Sequence, residues 1–310
     1  MPEPHPLLGL PRHILASREA YDACVASLPE VFPVGSASAS AQFHYLKLDG
    51  NGQPKLAALA ECLVDHLVNY ALSAKRTAAA DFAETRGARQ RQHSRINREA
   101  RRLLREYPTS GESGELLLYL ILEVVLGAPQ AVAKMELKTN PRVEVHGSDG
   151  IHMRYDETLD CLDVFFGESK LEQTVSGALR SAFQSIENFH DHAMAQHEFG
   201  LVTSNFKYMD EPLRQAVVRY LDGQQLQACR VNHALLIGYD SPDYATCVGN
   251  SFREAEQEFR RVYAERAPRC VELAIERLRE FKYRHLRFEV FFMPFTTVED
   301  FRAAFYRAVE

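Results

Sequence analysis

The chain has 310 residues and a mass of 35.2 kDa, so one large or two smaller domains with an adequate core are expected. With 46 % hydrophobic and 25 % charged residues it is neither fibrous, wholly disordered nor a coiled coil. A net charge of −6 excludes a uniformly basic nucleic-acid binder but leaves room for a local basic patch.

The opening residues, Met-Pro-Glu-Pro-His, lack the basic-then-apolar order of a signal peptide. A short helix is expected around Glu19 to Leu28. Residues 42–48 alternate like a strand, and Asp49-Gly50-Asn51-Gly52 supplies a turn. Leu56, Leu59, Leu63, Leu67 and Tyr70 recur at helical spacing. Residues 75–106 then carry ten Lys and Arg against four Asp and Glu. This segment is either a solvated helix face or a phosphate-contacting surface.

Pro108 to Gly111 breaks that segment, and an apolar helix follows, ending near Gly127. Its longest apolar stretch, Leu116 to Leu126, is interrupted by Glu123 and is too short to span a bilayer, so no membrane contact is expected. Ala131 to Leu137 reads as a strand, Gly147 to Gly150 as a turn, and Ile151 to Tyr155 as a second strand. Asp156 to Thr158 turns the chain into a third strand, Cys161 to Phe166, ending at Gly167-Glu168-Ser169-Lys170. Helix is expected over 171–197, strand over His233 to Tyr239, helix over Phe252 to Phe281, strand over Leu286 to Phe295 and helix over Thr297 to Val309. This order indicates an α/β fold, a mixed central sheet flanked by helices.

Cys24, Cys62, Cys161, Cys229, Cys247 and Cys270 form no CxxC pair and read as reduced, buried thiols, which fits a cytoplasmic setting. No GxGxxG or Walker-type loop and no GxSxG elbow occurs, which leaves a nucleotide-driven motor and serine hydrolase chemistry unsupported.

The chemistry concentrates on Asp149, Glu168 and Lys170. A spacing of two puts Glu168 and Lys170 on one face of a strand. If the two strands pair around the Asp156 to Thr158 turn, Asp149 sits beside Glu168. Two converging carboxylates make a hard-oxygen site suited to Mg²⁺ or Mn²⁺. A nearby ammonium can orient a water and stabilise charge on a phosphate. Glu115, in the first turn of the apolar helix, needs a polar partner or a cation if buried. Glu112 and Glu123 compete with it for that role, and Asp149 also fits an ordinary Ser-Asp-Gly turn.

The set Glu115, Asp149 and Glu168-Ser169-Lys170 resembles the PD-(D/E)xK nuclease superfamily over about residues 111–240. That resemblance implies a restriction-endonuclease-like core, taken as 109–310. The amino-terminal α/β extension over 1–108 carries no motif, and a partner-docking and regulatory role is the expectation for it. The strings at 113–120 (Ser-Gly-Glu-Leu-Leu-Leu-Tyr-Leu), 147–152 (Gly-Ser-Asp-Gly-Ile-His) and 166–170 (Phe-Gly-Glu-Ser-Lys) resemble the HamA family of the Hachiman antiphage defence system. This resemblance implies a metal-dependent DNA nuclease paired with a superfamily-2 helicase, HamB. Glu115, Asp149 and Glu168 would hold the metal, and Lys170 would complete the catalytic set. No particular oligomeric state is implied.

His152 and Asp163 point away from this face and read as structural. Gln173 or Gln184 could add a contact from the following helix. His190, His192 and His197 read as a surface helix, because no cysteine or carboxylate completes a zinc pattern. Lys282 to Arg287 form a second basic patch, either a nucleic-acid contact or a favourably charged helix end.

Overall fold

The computed structural model describes residues 5–35, 38–81, 85–104, 111–137, 147–221, 228–247 and 251–310. A 3₁₀ turn (Pro6–His13) leads into α1 (Arg18–Cys24), β1 (Val25–Ser27), β2 (Phe32–Pro33) and β3 (Ala39–Leu46). Four helices follow: α2 (Leu56–Asp65), α3 (Leu67–Ala71), α4 (Ala74–Asp81) and α5 (Arg86–Leu103). Next come α6 (Glu112–Val124), a 3₁₀ turn (Lys134–Leu137) and the hairpin β4 (Gly150–Asp156) and β5 (Cys161–Glu172). The chain continues through α7 (Val175–Asp191), α8 (Met194–Ser204), α9 (Glu211–Leu221) and β6 (Cys229–Asp240). It ends with α10 (Asp243–Thr246), α11 (Phe252–Glu280), β7 (Arg287–Phe295) and α12 (Val298–Val309).

These strands build one mixed sheet in the order β1-β3-β7-β6-β5-β4, with β2 also on β3. β5, β6, β7 and β3 run parallel, while β4, β1 and β2 pair antiparallel to their neighbours. Strands buried on both faces read as near-continuous apolar runs, as His233 to Tyr239 does. The helices start where side chains cap them. Thr174 accepts from the Gly177 amide, Ser251 from Glu254 and Thr297 from Asp300.

The expected mixed α/β sheet is therefore observed, with local corrections. Residues 131–137 do not form a strand. Only one isolated bridge, Gln130 to His152, touches β4, and the chain then coils into a 3₁₀ turn that carries the Lys134 ammonium inward. The helix expected over 171–197 starts later, because β5 runs on to Glu172, and it breaks at Ala193, whose φ is 51°. α9 carries no expectation from the sequence. The helix over 56–72 breaks at His66, whose ring bonds the Cys62 carbonyl and accepts from the Ser17 amide at 2.9 Å. The break at Pro108 to Ser110, and with it the 108/109 boundary, lies outside the described residues.

Side chains alternate across β5 and divide the interior in two. Phe165 and Leu171 join the larger core with β3, β6, β7 and α6. Leu162, Val164 and Phe166 join a smaller one with Leu7, Leu10 and helices α7 to α9. Glu168 and Lys170 continue that second face where its apolar packing stops. α6 crosses β5 closely at this point. A Cβ on Gly114 would stand 3.1 Å from both Ser169 Oγ and Leu171 Cγ, so a glycine here lets Glu115 approach the strand end.

A candidate metal and phosphate site at the end of β5

Hairpin register decides the placement of Asp149. Gly150 pairs with Gly167, so Asp149 falls opposite Glu168, and its amide donates to the Gly167 carbonyl at 2.8 Å. One carboxylate oxygen, Oδ2, accepts from the Ser169 amide at 2.6 Å and from the Ser169 hydroxyl at 2.9 Å. Asp149 is thus more than a turn residue. Its carboxylate is fixed against the Glu-Ser-Lys strand end.

Glu168 is 8 % exposed. Burial pushes its carboxyl up to about 7, with the Asp149 charge adding to the rise. The Lys170 charge and the hydrogen bonds of Lys170 and Ser185 pull it part of the way back. Lys170 Nζ lies 2.7 Å from Glu168 Oε1. Burial alone would lower the Lys170 ammonium, but the Glu168 charge, with Asp149 and Glu172 behind it, outweighs burial and holds it raised. The lysine therefore stays charged while the carboxylate pair is electrostatically loaded.

Glu115 accepts the Tyr70 hydroxyl at 2.9 Å. Burial raises the Tyr70 phenol well above its ordinary range, and Glu115, Asp149 and Glu112 each push it further. The charge of three carboxylates is thus felt at one phenol. Glu115, Asp149, Glu168 and Lys170 all line one cleft of about 810 Å³, together with Tyr70, Ser185 and Lys134. Among the described residues, no three His, Cys, Asp or Glu side chains gather closely enough to count as a metal cluster. The donor set that fits a hard divalent cation is the Asp149–Glu168 pair, whose mutual repulsion a cation would relieve. Glu115 lines the same cleft and holds the Tyr70 hydroxyl.

One of the two rival acids has other work. Glu123 is 1 % exposed and accepts from the Leu15, Ala16 and Gln130 amides and the Tyr119 hydroxyl, which makes it a structural hub. Glu112 is buried in the first turn of α6. His152 is buried and bonds the Ala128 carbonyl, and burial drives its ring down to about 3. Asp163 lies on the opposite face of β5, as its spacing requires. Gln184 is exposed and bonds Asn188, and Gln173 is exposed too, so neither lines the cleft. Ser185 and Asn188 take that place on α7. His190 departs from the surface expectation, since its Nε2 meets the Nε2 of buried His233 at 2.8 Å. Sequence reasoning missed Tyr70, Ser185 and Lys134, because each reaches the cleft from an element with no motif of its own.

No helix of the described residues is long and apolar enough to cross a membrane. The basic segment is partly internal. Arg76 pairs with Glu99 at 2.5 Å and Glu136 at 3.5 Å, and Arg101 donates to the Val309 carbonyl. Arg86, Arg89, Arg91, Arg95, Arg98 and Arg102 of α5 are exposed. In the second patch, Lys282 and Tyr283, in the turn that directly follows the end of α11, both bind Asp191 at the end of α7.

A family model for HamA matches residues 30–309. The chain belongs to the HamA family. The match spans every residue that lines the cleft. HamA membership makes this chain a component of a Hachiman antiphage defence system. No curated protein matches it.

Proposed function

We propose that this chain is a metal-dependent nuclease, the DNA-cutting effector of a Hachiman complex, working with a superfamily-2 helicase partner. The observation that carries the reading is the convergence of Glu115, Asp149, Glu168 and Lys170 on one cleft, with Glu168 buried against Asp149.

Asp149 and Glu168 would hold Mg²⁺ or Mn²⁺, with Glu115 as the third acid of the same cleft. The bound ion would supply Lewis acidity toward a phosphate and make a water ionisable near neutral pH. Ser169 holds the Asp149 carboxylate in one orientation. Lys170 keeps its proton, positions the attacking water and faces the developing phosphate charge. The exposed arginines of α5 supply candidate contacts to a phosphate backbone or to the partner.

A second reading, a non-cleaving adaptor that docks a helicase and positions DNA, is favoured by one observation. The described residues include no three-ligand cluster. One experiment separates the two: incubation of plasmid and linear DNA with Mg²⁺, with EDTA and with the Glu168→Ala variant, alone and with the co-purified helicase. Cleavage that needs both metal and Glu168 supports the nuclease. Intact complex formation without cleavage in any arm supports the adaptor.

A further inference from the structure

We infer that the buried Lys134–Glu198 ion pair is a positioning device for the Asp149 carboxylate. The inference rests on reading the cleft as the reactive site. Lys134 is 5 % exposed and Glu198 fully buried. Lys134 Nζ lies 2.7 Å from Glu198 Oε1 and also donates to the Ser148 carbonyl at 2.6 Å. The Ser148 amide donates to the same Glu198 oxygen at 3.1 Å. The pair therefore grips both polar groups of a single peptide residue, the one immediately before Asp149.

Gly147 fits the same arrangement. Its φ is +112°, and a Cβ there would stand 1.9 Å from Glu198 Oε1. The carboxylate occupies the volume that any other residue would fill, and the backbone adopts a conformation that side chains disfavour. On the far side, Asp149 is pinned by the Gly167 carbonyl and by Ser169. Asp149 thus sits between two clamps, β5 on one flank and the ion pair on the other.

Stability is a poor explanation for the pair. Removing two charges from water costs more than their attraction usually returns. Among the described residues the other oxygen of the carboxylate, Glu198 Oε2, is buried and meets no hydrogen-bond donor, a further cost. Lys134 arrives on the short 3₁₀ turn and Glu198 on α8, and the backbone of Ser148 is what both hold. A positioning role accounts for a costly pair at this one place.

The test uses the full chain carrying Lys134→Met and Glu198→Leu together, which leaves no unpaired buried ion. Amide hydrogen exchange is read at Asp149 and Ser169, and Mn²⁺ alone is titrated as the metal probe. We expect exchange at both amides to rise roughly tenfold or more while β6 and β7 stay protected, with Mn²⁺ affinity falling about tenfold. Native protection at both amides in the folded double variant overturns the inference, whatever Mn²⁺ does. Should the double variant not fold, Lys134→Met with Glu198→Gln carries the same measurement, again with no unpaired buried ion and with the shape of the second side chain kept. Mn²⁺ binding to the native chain that ignores Glu168→Ala would instead overturn the metal reading, and the exchange data still decide the role of the pair.

Discussion

The β4–β5 hairpin carries a buried carboxylate toward each end, and their surroundings are opposite. Asp163 is 1 % exposed and fully answered: Arg154 binds it at 3.0 Å, Arg230 at 2.7 and 2.9 Å, and Asn232 at 3.2 Å. Glu168, 8 % exposed, meets one ammonium and has a second carboxylate beside it. At one end the fold has neutralised a buried charge. At the other it has left negative charge in excess where the cleft opens. A frustrated carboxylate pair beside a satisfied one, on the same two strands, is what nominates that end of the hairpin as the candidate site.

The sharpest way to break this comparison is to neutralise each acid in turn. Glu168→Gln should cost about 10³-fold or more in DNA cleavage while leaving the melting temperature unchanged or higher. Asp163→Ala should do the reverse, losing about 3–5 kcal/mol by stranding Arg154 and Arg230 while sparing the activity per folded molecule. Cleavage assays paired with thermal melts read both, and parallel losses in the two variants would erase the distinction. Lys170→Met should lower kcat about 10²-fold or more, measured at saturating metal so that charge on the phosphate is tested separately from ion binding.

Proton linkage offers a finer test. Glu168 is raised in the fold from 4.5 to about 7, so between those values the folded chain binds more protons than the unfolded one. The Glu168 contribution to metal-free stability should therefore be full at the acid end of this window and be lost as pH rises through it, by on the order of 3 kcal/mol at most, against the opposite slope that the buried neutral rings of His44, His152 and His233 impose. Denaturant titrations of the native chain and of Glu168→Gln at pH 5 and pH 8 without metal isolate this contribution, and the variant should gain stability relative to the native chain as pH rises. Equal pH dependence in the two would show that the pair is not loaded. Smallest of all, Tyr70→Phe should cost only a few-fold in activity, since it deletes one hydrogen bond to Glu115 and no charge.

Much of the site was legible because it is local. The Asp156 to Thr158 turn and the Glu-x-Lys spacing suffice to place Asp149 opposite Glu168 and to put Lys170 on the same face, and the register agrees. The apolar strand His233 to Tyr239 likewise declared itself through composition. What stayed hidden is held together across the chain. Tyr70 reaches Glu115 over 45 residues, and Lys134 reaches Glu198 over 64. Neither contact has a period or a turn to announce it. The segment 131–137 was misread because its buried apolar run, Ala131 to Ala133, looks the same in a strand and in a packed turn.

The parallel seam between β3 and β7 has a temporal consequence. Ser40 and Glu289 are neighbours in this sheet but 249 residues apart in the chain. During synthesis the hairpin, α6, α7 and β6 emerge long before β7, the strand to which β3 must pair. Until that strand arrives, β3 presents an open edge beside its short antiparallel partners, and the loop to be closed is most of the molecule. Closing the sheet is therefore a late event, and an incomplete chain would display the acidic pair on an unfinished scaffold with one strand waiting.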